Sequence, residues 1–332
     1  MIIAVTGAAG FLGSHIAKHM IDYGHHVIGL DNLIGGSRDN IPHRCEFYHV
    51  DLYDLDVVTK AFKDVDIVYH CAATPHEGLS VFSPYFITRN NLGISTSVIT
   101  AAIKNKVKRI IYCSSMARYG NQKPPFTEDM KPQPVDPYGV CKVAGEDILK
   151  SLCETHGVEW VIAVPHNIIG PNQKYDDPFR NVVSIMLNRM LLGKPPIIYG
   201  DGEQVRCFSY VDDCIDSLIK MATANVQGEV INIGPDEEFV TINKVAEICA
   251  NVAGYNGEPI YMPDRPREVK HAVCNSDKAR RLLNYQTSTD LKTGIEKTYQ
   301  YIKQRGARDF EYHLDLEIIN EHTPQTWKDK LI

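Results

Sequence analysis

Along the first half of the chain, short and almost wholly apolar runs alternate with stretches whose apolar residues recur every three or four positions. Ile2–Thr6, His26–Asp31, Glu46–Val50, Ile67–Ala73, Arg109–Ser114 and Trp160–Pro165 have strand length and strand composition, whereas Gly13–Tyr23 and Val57–Phe62 have helical spacing. Runs that are apolar throughout belong to strands covered on both faces. The pattern therefore predicts an α/β fold, a Rossmann-type doubly wound parallel sheet with helices on either side. Such sheets bind ligands outside the carboxyl ends of their strands.

Beyond Gly170 the alternation gives way to Pro-, Asn- and Asp-rich sequence, a helical run at Val182–Leu192 and a turn-rich stretch at Gly193–Gly202. This predicts a smaller C-terminal α+β lobe that binds substrate. The expected division is 1–168 for the part built on the doubly wound sheet, with a returning segment near 207–235. The lobe then takes 169–206 and 236–305, and 306–332 forms a tail.

Composition adds exclusions. Hydrophobic residues at 44% and charged residues at 23% are ordinary for a globular chain. A net charge of −6 gives no general attraction for nucleic acid or an anionic membrane. Nine cysteines lie scattered and never as CxxC, so reduced thiols are expected rather than a disulfide framework or a zinc site. Met1 leads straight into a short apolar run and a glycine turn, and no apolar run has membrane-spanning length, which predicts a cytoplasmic protein.

The sequence Gly7-Ala8-Ala9-Gly10-Phe11-Leu12-Gly13 directly follows the first strand and opens the first helix. Gly7 permits a tight turn, Gly10 lets the backbone approach a pyrophosphate, and Gly13 allows close helix packing, with the anion on the helix N-terminus. Asp31 ends the second strand, where its carboxylate would accept hydrogen bonds from an adenosine ribose and repel a 2′-phosphate. NAD is favoured over NADP.

Tyr138 and Lys142 stand four residues apart, on one face of a helix beginning after Pro137. A lysine and an oxidised nicotinamide nearby would both favour the phenolate, making Tyr138 a general base. Ser115 emerges from the strand Ile110–Ser114, where its hydroxyl would bridge the tyrosine and a substrate oxygen.

Together Thr6–Gly13, Asp31, Ser115 and the Tyr138/Lys142 pair resemble the extended short-chain dehydrogenase/reductases, the NAD-dependent nucleotide-sugar epimerases and dehydratases. The resemblance runs from Met1 to about Tyr301. It implies cofactor contacts from Phe11, Leu12, Asn32, Asp51, Leu52, Ala72, Ala73, Asn90, Cys113 and Pro165. It also implies that Asn167 and Asn181 contact the sugar diphosphate, that Arg206 and Arg265 neutralise its phosphates, and that Ile198, Tyr199 and Phe208 flank a uracil.

Within that family the two residues after the catalytic serine separate chemistries. Dehydratases place an Asp-Glu pair there, and decarboxylating relatives a glutamate, whereas here Met116 and Ala117 carry no proton. The resemblance thus implies 4-epimerisation of a UDP-sugar: Tyr138 takes the O4 proton, a transient 4-keto sugar turns in the pocket, and hydride returns to its other face. Rival readings are a UDP-glucuronate 4-epimerase, an NAD-linked sugar reductase or dehydrogenase, and a non-catalytic NAD-binding protein. Ala272 falls where plain-hexose epimerases carry a gating tyrosine, which implies room for 2-acetamido sugars. Lys174 falls near the position where uronate epimerases carry an arginine.

Other residues draw weaker readings. His15 and His19 share a helix face but lack a third metal ligand; His70 reads as packed; His166 is expected nearer the nicotinamide. Asp212-Asp213 is expected to cap a helix. Arg118 stands where relatives carry an apolar residue, beside the expected sugar pocket. Val98, Ile99 and Ala102 with Val143, Ile148 and Leu152 resemble the family's four-helix dimer interface, so a homodimer is expected.

Overall fold

The computed structural model of the 332-residue chain has a seven-stranded parallel sheet at its centre. The first half supplies β1 (Ile2–Thr6), β2 (His26–Asp31), β3 (Glu46–His49), β4 (Ile67–His70), β5 (Arg109–Cys113) and β6 (Glu159–Pro165). Its helices are α1 (Phe11–Asp22), α2 (Leu55–Ala61), α3 (Glu77–Ser80), α4 (Pro84–Thr88), α5 (Ile94–Lys104) and α6 (Pro137–His156). The second half contributes β7 (Ile168–Ile169), β8 (Ile197–Tyr199), β9 (Val205–Arg206), β10 (Ser209–Tyr210), β11 (Glu229–Ile233), β12 (Val240–Thr241), β13 (Ile260–Met262) and β14 (His271–Ala272). With them come α7 (Val182–Leu191), α8 (Val211–Lys220), α9 (Ile242–Ala253), α10 (Asp277–Leu283), α11 (Leu291–Arg305) and α12 (Gln325–Lys328).

The sheet order is β11-β6-β5-β4-β1-β2-β3, with every pairing parallel. Two apolar clusters sandwich it. One joins Val68, Ile110 and Ile162 to α2 and α5; the other joins Val5, Tyr69 and Ile111 to α1 and α8. The expected doubly wound sheet is what forms, and its continuous apolar strands are explained by cover on both faces.

Local chemistry fixes the helix that matters most. Asp136 caps α6 by accepting the Gly139 N–H at 2.9 Å, Pro137 starts it, and Gly157 ends it in the left-handed region at φ 69°. Smaller pairings β12-β9-β14 and β13-β8 join α7, α9 and α11 around a third apolar cluster, forming a lobe over one end of the sheet. Residues 306–332 run back across the molecule, where Leu314, Trp327 and Ile332 pack with Leu79 and Phe82 beside Phe179 and Ile197.

Candidate active site

Between sheet and lobe, at the carboxyl ends of β1, β4, β5 and β6, lies a cavity of about 470 Å³. At one end Gly7 adopts φ 73°, and a Cβ there would sit 2.9 Å from the Ala72 backbone. A Cβ on Gly13 would stand 2.2 Å from the Gly7 carbonyl oxygen, so turn and helix meet at a distance only glycine allows. Gly10 caps α1 without a side-chain bond, and the first-turn residues Phe11, Leu12 and Gly13 line the cavity with it. Asp31 accepts the Ala9 N–H at 3.0 Å and the Leu33 N–H at 2.7 Å while facing the cavity. Burial raises its carboxyl's pKa and those N–H groups oppose the shift. Asn32, Leu52, Ala72, Ala73, Asn90, Cys113 and Pro165 complete this wall. A dinucleotide fits: the close-approach glycines, the open helix end and the carboxylate all face one chamber.

At mid-cavity Ser115, Tyr138 and Lys142 come together. Ser115 Oγ accepts the Ala117 N–H at 3.2 Å and faces Tyr138, where its hydroxyl favours the phenolate. Burial, and after it the charge of Glu77, pushes the phenol's pKa up more strongly. Lys142 donates to the Cys113 carbonyl at 2.8 Å, with Nζ 5.9 Å from the Tyr138 ring, and burial lowers its pKa. The lysine makes no direct bond to the tyrosine.

The far end carries the cations. Arg206 gives Nη2 to the Val269 carbonyl at 2.7 Å, and Arg265 holds Glu268 through Nε and Nη2, each at 3.1 Å. Burial works against Arg265's charge, but Glu268 outweighs it and the pKa rises. Arg265 also lies 4.5 Å over the Tyr199 ring. Asn167 is held at the Cys207 carbonyl, while Asn181, left-handed at φ 67°, leaves a buried Nδ2 without a partner at the cavity wall. An orphaned buried donor beside two arginines suits an anionic oxygen. Ile198 and Phe208 line the same end.

Residues 3–234 match the model of the NAD-dependent epimerase/dehydratase family. The chain belongs to that family. A putative UDP-glucose 4-epimerase of Methanocaldococcus jannaschii is 34% identical over 307 residues, covering 91% of this chain and 98% of that one. The crystal structure of a Thermotoga maritima UDP-glucose 4-epimerase with UDP-glucose superposes with a TM-score of 0.88 at 31% identity, covering 92% of this chain and 99% of that one. A Bacillus cereus UDP-glucuronic acid 4-epimerase with a fluorinated substrate analogue and NAD gives 0.86 at 32% identity, covering 92% and 100%.

Against the expectations drawn from the sequence, the structure makes several corrections. Asp51 does not line the cavity, and its carboxylate is paired with Arg89 at 2.7 Å. Lys174 is likewise outside, paired with Asp176 at 2.8 Å and Glu311 at 3.4 Å. Ala272 pairs with Arg206 along β14 but packs inward with Phe126 and Cys274, away from the cavity. His166 is bonded to the Pro235 carbonyl rather than set at the cofactor, and His15 to that of Pro171. Asp213 does not cap α8; it anchors Ser288 and Thr289. Arg118 turns away from the sugar side into a buried pair with Glu146 at 3.0 Å, and Glu146 in turn receives the Ser114 hydroxyl. On the expected dimer face, Val98, Ile99 and Ala102 are fully buried against the sheet, while Val143, Ile148 and Leu152 stay half-buried.

The cavity also holds residues that sequence reasoning missed. His76 lines it and bonds Asp177 at 2.8 Å, and His313 and Ile332 reach it from the tail. Glu77 opens into the solvent of the chamber although protein surrounds it. Burial, reinforced by Asp136 and opposed by Arg206 and Arg265, pushes its carboxyl up to about 7.

Proposed function

We propose that the chain interconverts the C4 epimers of a UDP-hexose. The observation that carries this is one continuous chamber: dinucleotide wall, proton-transfer group and diphosphate cations follow one another, so a nucleotide sugar held at the arginines presents its ring to Tyr138. Asn167, Asn181, Arg206 and Arg265 bind the diphosphate, and Ile198, Tyr199 and Phe208 flank the base. Bound at the glycine wall, NAD supplies a reversible hydride acceptor and, when oxidised, a positive charge that favours the Tyr138 phenolate. Tyr138 takes the O4 proton and later returns it; Ser115 holds that oxygen; Lys142 adds its charge behind both. Met116 and Ala117 are buried and carry no proton. Asp136 is committed to Gly139 and Ser80, and the Asp-Glu pair that the family's dehydratases place directly after the serine has no counterpart at Met116 and Ala117.

The test is NAD-loaded protein incubated with UDP-glucose, UDP-galactose, their 2-acetamido forms and UDP-glucuronate, with products resolved chromatographically. Both hexose epimers should converge on one equilibrium mixture with no net NADH. Steady NADH accumulation would establish a dehydrogenase instead, and no product from any sugar would sink the reading. The uronate alternative draws on the Bacillus cereus relative, but Lys174 is spent on Asp176 and Glu311. The acetamido extension loses its supporting residue with Ala272 buried.

The proposed assembly is a homodimer through α5 and α6, resting on the half-buried Val143, Ile148 and Leu152. A monomer by light scattering at micromolar concentration would overturn it.

A further inference from the structure

We infer that Glu77 is a specificity-determining residue whose carboxylate accepts hydrogen bonds from the neutral hexose and repels a uronate. The inference rests on the epimerase reading and narrows its substrate class. Glu77 lines the cavity, and its carboxylate has no hydrogen bond or ion pair with any other residue. Its place is fixed from both sides. Ser80 Oγ lies 3.4 Å from Asp136, the cap of the helix bearing Tyr138, and Gly78 faces Trp327 and Arg265, whose Nη1 would lie 3.9 Å from a Cβ built there. Glu77 thus stands between the tyrosine that handles O4 and the arginines proposed for the diphosphate on C1. The sugar ring must bridge those two points.

A free carboxylate facing the ring works in two directions. It accepts from ring hydroxyls, replacing water that the closing substrate expels. Against a hexose whose C6 is itself a carboxylate it sets like charge beside like charge in a partly enclosed chamber, and specificity of this kind comes from repulsion as much as attraction. Lys174 lies outside the cavity, and the lining Arg180 is engaged by Asp177 at 3.3 Å. The charged and titratable groups around Glu77 are Asp136, Tyr138, Arg206, Arg265 and Glu268.

The experiment compares kcat/KM for UDP-glucuronate and UDP-glucose in the NAD holoenzyme and in Glu77→Gln, which keeps shape and an acceptor but loses the charge. The wild type should prefer UDP-glucose, and Glu77→Gln should raise the glucuronate-to-glucose ratio at least tenfold. In the wild type alone that ratio should fall between pH 6 and pH 8.5 as the carboxyl ionises, and in Glu77→Gln it should stay flat. An unchanged ratio in the variant, a flat wild-type ratio, or equal use of both sugars by the wild type overturns the inference. So does a loss of a hundredfold or more in kcat for UDP-glucose at constant ratio, which would make Glu77 a proton-transfer group. If the wild type turns over neither sugar, the epimerase reading falls by itself. Calorimetric binding of UDP-glucose and UDP-glucuronate to the holoenzyme still decides Glu77: equal affinity at pH 8.5 overturns its role, and weaker uronate binding supports it.

Discussion

The two walls of the cavity are built from different materials. The dinucleotide wall is mostly main chain, with Gly7 and Gly13 in contact and the amide end of a 12-residue helix bracketed by strands of the central sheet. The opposite wall is mostly side chain: Arg206, Arg265, Glu268, Asn181 and Glu77 project from loops and very short elements whose charges balance one another. A backbone wall holds one shape and fails outright when crowded. A side-chain wall can lose a member and still bind, which is where selectivity is adjusted.

That contrast orders the expected effects of mutation. Gly13→Ala should do most damage, because its Cβ would stand 2.2 Å from a carbonyl oxygen that has no room to move. Overpacking of this kind costs about 3 kcal/mol, so thermal unfolding should shift downward and NAD binding by fluorescence should vanish. Tyr138→Phe should leave folding and NAD binding intact while turnover falls roughly 10²- to 10⁴-fold; epimerisation above a few per cent of wild type would remove Tyr138 from its role. Arg206→Ala should raise KM for the UDP-sugar roughly 10- to 100-fold with a smaller change in kcat, the scale of one charged hydrogen bond. A fall in kcat alone would show that this wall is not a binding wall. Lys174→Ala should change kcat/KM for every UDP-sugar, glucuronate included, by less than about twofold, as expected of a side chain that lies outside the cavity and is paired with Asp176. A selective loss on UDP-glucuronate would return Lys174 to the site.

The same contrast explains what could be read from the residues. The glycine turn, Asp31 and the Tyr138/Lys142 pair owe their positions to local spacing on a strand or a helix, so they are visible without any tertiary knowledge. Glu77 follows β4 on a four-residue helix with no periodicity of its own, and its role comes from Asp136 and Arg265, far away in sequence. His313 and Ile332 reach the cavity only because the tail recrosses the molecule. Lys174 and Asp51 mislead for the opposite reason: their motif positions are legible, but Asp176 and Arg89 claim their charges first. Likewise, what holds the imidazole of His166 is the carbonyl of Pro235.

The sheet order carries a consequence for synthesis. β6 takes β5 as one neighbour at once, but its other neighbour, β11, is encoded roughly sixty residues later. At a ribosomal rate of about 5–20 residues per second, the nascent chain spends roughly 3–12 s with the edge of β6 unpaired. That edge runs through Trp160, Val161, Ile162, Ala163 and Val164, all buried in the finished molecule, and an open apolar strand edge is a template for joining another chain. The sheet of the nucleotide-binding half therefore cannot close until the first part of the lobe, residues 169–206, has been made, although the larger part of the lobe is still to come.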